Sequence, residues 1–239
     1  MAAQVTFFET VSKSYVDVPV TDAGVDTVAF LEATESLIKM FGESLQPPAP
    51  RLATPHFHAT HSPPRSPPAR PKLTQPSSLT DLLGSAAFTI VQNDMTGNVA
   101  KIRARFLATP DKSATLEQLV ENEKGEKKRT ATEGLLWLLR GLKFTQIALS
   151  RSLADKSEEL TVSFTKAYEA TLKKFHSFVV KPLFGLAMKS CPYRVAFYEK
   201  LGSPLSKVET DLAAWLAALD AIIVKEEKYY ETGNYAKGM

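Results

Sequence analysis

TEGLLWLLRGLKFTQIALSRSL, residues 132–153, is apolar on most faces of the helix it would form. A helix apolar nearly all round belongs at the centre of a core, where other elements cover every face. The rest of the chain reads helical on both sides of it. Toward the N-terminus, Thr115 caps a charged helix over 116–124 that ends at EKGEKKR. A helix from Asp94 to about Leu107 is closed by Thr109-Pro110. TVAFLEATESLIKMF, 27–41, puts Val28, Leu31, Ile38 and Phe41 on one stripe. Toward the C-terminus, 161–180 and 182–190 read as one helix interrupted or kinked at Pro182. Pro192 opens YRVAFYEKL, which Gly202 stops, and Ser206 to Glu231 form a last long amphipathic helix. No segment of alternating β-branched residues competes, so the fold class is all-α.

The segment from 42 to 80 breaks this pattern. It holds ten of the fifteen prolines and three of the four histidines. Proline at that density removes backbone donors, so a disordered, partly polyproline-II insert is expected. Such a loop is foreign to a compact domain, and a translated intron is one origin for it. His56, His58 and His61 lack the cysteines and spacing of a metal site, so no metal is expected. SPPRSPPARP offers PxxP-like strings to an SH3-type groove.

Charge narrows the partners. The net charge is +3, and Arg51, Arg65, Arg70 and Lys72 against Glu43 account for all of it. The folded remainder balances to zero, which argues against a nucleic-acid protein. Hydrophobic residues make up 44% of the 239, enough for one sizeable core. Cys191 stands alone, so no intramolecular disulfide forms and a reducing compartment is expected. Beside Pro192 and without a catalytic signature, it reads as a structural thiol. The first residues do not read as a signal peptide, and no run approaches the ~20 apolar residues of a membrane span. A soluble, cytoplasmic protein is expected.

Within VQNDMTGNVAKIRARF, 91–106, helical spacing lines up Asp94, Asn98 and Lys101 on one stripe. An acceptor, an amide and a cation suit a ligand rich in hydroxyls, but on pattern alone an ordinary solvated face is the better reading. No phosphate loop, HExxH, GxSxG or metal-ligand spacing is present, so neither an enzyme nor a cofactor is expected.

Four collinear strings sharpen the reading. NDMTGNVAKI, LLWLLRGLKF, AYEATLKKFHSFVV and the terminal NYAKGM resemble the glycolipid transfer protein family in identity, order and spacing. The resemblance covers Phe30 to Tyr235 once 42–80 is set aside. It implies an all-α, two-layer sandwich, usually monomeric, with one lipid held between the layers. The domain would span 27–239, interrupted by the insert, after an N-terminal extension over 1–26.

The resemblance also implies site roles. The glycolipid headgroup falls to Asp94, Asn98, Lys101, Trp137 and His176. The hydrocarbon pocket falls to Phe88, Phe144, Leu172, Phe184, Met188, Phe197 and Tyr235, any one of which serves equally as plain core. Phe178 takes the membrane-contact position, where the family commonly has tryptophan, and Glu133 stands where an apolar residue is usual. The implied function is a non-enzymatic carrier of a monohexosylceramide-like glycosphingolipid between membranes, touching membrane surfaces transiently. Two alternatives stay open. One is a ceramide-1-phosphate carrier, against which Asn98 and Trp137 argue and which Arg140 and Lys143 keep alive. The other is a glycolipid sensor or adaptor that uses the Pro-rich insert.

Overall fold

The computed structural model describes residues 5–43 and 79–239, with side chains for 5–42 and 89–239. Most of the Pro-rich segment, 44–78, lies outside the described residues, as does the Phe88 side chain.

Helix α5, Thr130–Ala154, is the central element, with Leu135, Leu142, Phe144 and Leu149 almost wholly buried. Around it pack α3 (Leu79–Ala108), α4 (Leu116–Asn122), α6 (Leu160–Ala170) and α9 (Leu205–Thr232). The start of α5 has no side-chain cap of its own. Buried Glu123 supplies one from the preceding turn, accepting from the Ala131 amide at 3.0 Å and from the Thr132 amide and hydroxyl at 2.7 and 2.8 Å. A carboxylate there satisfies otherwise orphaned N–H groups and complements the positive end of the helix dipole. Helix α4 opens on the expected Thr115 cap, whose Oγ1 accepts from the Gln118 amide at 3.2 Å.

Helix α2, Thr27–Glu43, runs antiparallel to α3: Gln92 Nε2 donates to the Ile38 carbonyl at 3.1 Å and Arg103 reaches Glu35 at 2.7 Å. Of the hydrophobic stripe predicted on α2, Leu31 and Phe41 are buried at 0 and 1% exposure, while Val28 and Ile38 are half-buried. Helix α3 begins well before Asp94, the start read from the sequence.

The long interrupted helix expected over 161–190 breaks elsewhere than at Pro182. Helix α6 stops at Ala170, where the Thr171 hydroxyl turns back onto the Ala167 carbonyl at 2.7 Å. A 3-10 turn and an irregular stretch follow, and α7 runs Val180–Lys189. Pro182 is therefore the third residue of α7, in a first turn whose amides have no intrahelical partner to lose. Helix α8, Arg194–Lys200, ends before Gly202 as read. That glycine has φ +122°, and a Cβ on it would lie 2.5 Å from the Val5 carbonyl oxygen.

Residues 5–26, expected as an extension, lie against the core. They form a short helix α1 (Phe7–Thr10), a 3-10 turn, and a hairpin of β1 (Val20–Thr21) with β2 (Gly24–Val25), pairing Val20 with Val25. Tyr15 is 1% exposed, shares a 3.0 Å hydrogen bond with Thr34 and meets the Trp215 ring edge-on at 5.0 Å. Two-residue strands leave the class all-α. Among the described residues no helix is long and apolar enough to cross a membrane, and no cluster of metal-ligating side chains occurs. Cys191 packs against the core, and burial pushes its thiol up to about 12, which makes it a poor nucleophile.

Candidate functional site

The headgroup candidates come together from three segments. Asp94, Asn98 and Lys101 stand on α3, Trp137 on α5, and His176 in the irregular link before α7. All five line one cavity of about 370 Å³ between α3, α5 and α7.

The α3 stripe forms a chain of hydrogen bonds. Lys101 Nζ donates to Asn98 Oδ1 at 3.0 Å, and Asn98 Nδ2 donates to Asp94 Oδ2 at 3.3 Å. Asn98 is buried, while Asp94 and Lys101 remain open to solvent. The surrounding protein still desolvates the Asp94 carboxyl enough to raise it above its ordinary value, against the pull of Lys101. One Asp94 oxygen and two Lys101 protons stay available, matching adjacent hydroxyls that both donate and accept.

Gly134 makes this approach possible. A Cβ there would lie 3.1 Å from Lys101 Cδ and 3.4 Å from the Asn98 carbonyl oxygen, so an added side chain would crowd the Lys101 stem against α3. Sequence reasoning missed it; a glycine inside an apolar helix was the available signal.

Trp137 and His176 form the facing wall. Their rings are nearly parallel, at 19° with centroids 6.4 Å apart, and His176 rests on Phe184 at 4.4 Å. Tyr168, also unforeseen, places its hydroxyl 3.3 Å from His176 Nδ1. Burial, helped by Lys181, lowers the imidazole below its usual value, so it is neutral at physiological pH. A neutral ring has one donor and one acceptor nitrogen, so with Nδ1 engaged by Tyr168 the Nε2 edge is the one left facing a ligand. Glu133 joins the rim as an exposed carboxylate.

Below these groups the cavity is apolar. Phe144, Leu172 and Phe184 line it, with Ile90, Met95 and Val180. The other pocket candidates fall elsewhere. Met188 and Phe197 are buried in the core and do not line it. Tyr235 lies on the α4–α9 side, stacked on Tyr229 at 5.0 Å with its hydroxyl on Glu121. Phe178 is 84% exposed, with Phe175, Val179 and Leu183 exposed beside it.

Arg140 and Lys143 point away from this cavity, into a second one against α9. Lys143 is held there by Glu227, at 2.6 and 2.8 Å.

With this geometry in place, comparisons with known proteins agree. The sequence model of the family described as glycolipid transfer protein matches residues 73–203. The glycolipid transfer protein of Aureobasidium melanogenum is 43% identical over 218 residues, covering 91% of this chain and 89% of that protein. The crystal structure of HET-C2, a fungal glycolipid transfer protein, is 42% identical, covers 97% of this chain and all of its own, and superposes with a TM-score of 0.75. Mouse ceramide-1-phosphate transfer protein in its apo form is 17% identical at a TM-score of 0.71, over 96% of this chain and 97% of its own, a likeness of fold alone. The all-α, two-layer sandwich implied by the sequence resemblance is the shared architecture.

Proposed function

Because the chain belongs to the glycolipid transfer protein family, we propose that it is a non-enzymatic carrier that binds a monohexosylceramide-like glycosphingolipid and transfers it between membranes. One observation carries the reading: Asp94, Asn98, Lys101, Trp137 and His176 line the mouth of a single cavity with a phenylalanine and leucine floor. Polar recognition above an apolar sleeve is the form a sugar-bearing lipid needs.

Each group has a task that requires no bond making. Asp94 accepts from neighbouring sugar hydroxyls, in the stronger, charge-assisted kind of hydrogen bond. Asn98 donates and accepts, and Lys101 holds the outer edge of the ring. Trp137 offers its face to the C–H side of a hexose. His176 holds the amide region of the ceramide, and Phe144, Leu172 and Phe184 receive the start of its chains. A ceramide exposes on the order of 30 methylenes, so at ~0.8 kcal/mol each its escape into water costs roughly 20 kcal/mol. A protein sleeve removes most of that barrier.

Membrane docking falls to Phe178 with Val179, Phe175 and Leu183, an exposed apolar cluster next to Lys173, Lys174 and Lys181. Exposed apolar side chains flanked in sequence by lysines suit an interfacial seat on a phospholipid surface. The carrier works as a monomer in the cytosol, touching membranes transiently.

Against the ceramide-1-phosphate alternative, Arg140 and Lys143 line the other cavity rather than this one. The test is transfer of fluorescent galactosyl- and glucosylceramide between vesicles by the full chain, with ceramide-1-phosphate in parallel. Sugar-lipid transfer that Asp94→Val and Trp137→Ala abolish is the expected result. Equal or faster transfer of ceramide-1-phosphate would overturn the sugar assignment.

A further inference from the structure

The second cavity, about 480 Å³, lies beside the first along α5 and shares none of its lining residues. Its floor is apolar, with Leu136 and Leu139 of α5 and Ala236 beyond α9. Its charges are unevenly matched. Lys143 and Glu227 neutralise each other across the cleft. Arg140 and Lys174 have no carboxylate partner among the described residues, and Glu231 on the α9 rim has no cation.

Arg140 is the more telling of these. Its guanidinium sits against two rings, 3.9 Å from the Phe175 centroid and 4.6 Å from that of Trp137. Contact with both rings shields it in part from water, so it is half-buried, and it has no anion among the described residues. Desolvation moves its pKa downward, the mark of a cation whose hydration has been replaced by nothing charged. Lys174 lies 4.9 Å from the same Phe175 ring. The cleft thus holds two uncompensated cations, one uncompensated carboxylate and aromatic surface. A plain anion would satisfy the cations but meet Glu231. A group carrying both a phosphate and an amine satisfies all three.

We propose that this cleft is a second lipid site that binds the zwitterionic headgroup of a membrane phospholipid, with its phosphodiester on Arg140 and Lys174 and its ammonium on Glu231. The location favours a bilayer source. Phe175 and Lys174 belong to the same stretch as exposed Phe178, so the cleft lies beside the apolar cluster assigned to membrane contact. Arg140 backs directly onto Trp137, so a filled cleft braces the platform on which the sugar rests.

Isothermal titration of the full chain with sn-glycero-3-phosphocholine tests the site without any glycolipid, so its failure is separate from failure of the carrier reading. Glycerol 3-phosphate and choline chloride serve as the anion-only and cation-only arms. Saturable binding of the zwitterion, tighter than either half, is expected, and Arg140→Leu, Lys174→Ala and Glu231→Gln should each weaken it roughly fivefold or more. Lys174 and Glu231 are surface residues, so those two variants carry the test if Arg140→Leu does not fold. The same two should lower co-sedimentation with phosphatidylcholine vesicles. No saturable binding, or binding indifferent to Lys174→Ala and Glu231→Gln, overturns the site. Headgroup binding with unchanged vesicle association in both variants assigns a soluble phosphodiester and overturns the lipid source.

Discussion

The start of α5 and the stretch one turn further along treat polar groups in opposite ways. At its start, hydrogen-bonding capacity is used up within the protein. Glu123 accepts from three donors there, and the Tyr230 hydroxyl donates to the Thr132 carbonyl at 2.7 Å. One turn further along, on the face toward α3, the polar groups bond only to one another along a stripe. Among the described residues, Asp94, Lys101 and the His176 Nε2 edge keep capacity to spare, lining a cavity. Buried and satisfied polar groups stabilise a fold, whereas groups held in place but only partly satisfied are ready for a ligand. Changes at the joint should therefore alter stability, and changes at the stripe should alter transfer.

Asp94→Val should have the largest effect, a loss of roughly 100-fold or more in vesicle-to-vesicle transfer, since it removes two charge-assisted bonds of about 1.5–3 kcal/mol each. The melting temperature should hold or rise, because the carboxyl is already desolvated in the folded chain. A variant that melts lower yet transfers normally would invert the comparison.

Glu123→Ala should do the reverse. Removing a buried carboxylate that caps three donors should cost about 2–3 kcal/mol, read as a drop in Tm of several degrees. Transfer per folded molecule should be unchanged.

Glu226 sharpens the contrast from within α9. It is fully buried, neither oxygen has a hydrogen-bond partner among the described residues, and burial beside Glu117 pushes its carboxyl up from 4.5 to about 9. An acid whose folded pKa is raised binds its proton more tightly in the native state. Its cost is therefore absent below the unfolded value and grows as pH climbs from 4.5 toward 9. Glu226→Gln should flatten that loss and stabilise the protein at pH 7 by about 1–2 kcal/mol, seen in denaturant midpoints across pH. A midpoint falling equally with pH in both proteins would place the titration elsewhere.

The smallest effect is expected at the surface. Phe178→Ser should weaken vesicle binding roughly fivefold, about 1 kcal/mol of apolar contact, with no change in stability. Phe178→Trp should strengthen it.

Periodicity and caps were enough to read α4, α5, α8 and α9 in the sequence, because their signals are local. The break between α6 and α7 was not legible. Pro182 looked like a kink, yet in a first turn proline gives up no hydrogen bond, and Thr171 ended the preceding helix instead. Among the pocket candidates, Phe144, Leu172 and Phe184 reached the cavity, whereas Phe197 and Tyr235 did not. An aromatic side chain carries the same apolar signal in a core or a pocket, and only packing separates the two.

By itself the chain determined an all-helical fold, a central α5 and a polar stripe at 94, 98 and 101, since each follows from spacing along one element. Tertiary structure alone decided what that stripe faces, which side of α5 receives Arg140 and Lys143, and that residues 5–26 join the core. Those outcomes depend on contacts between segments far apart in sequence, and a pattern confined to one helix holds no record of its neighbours.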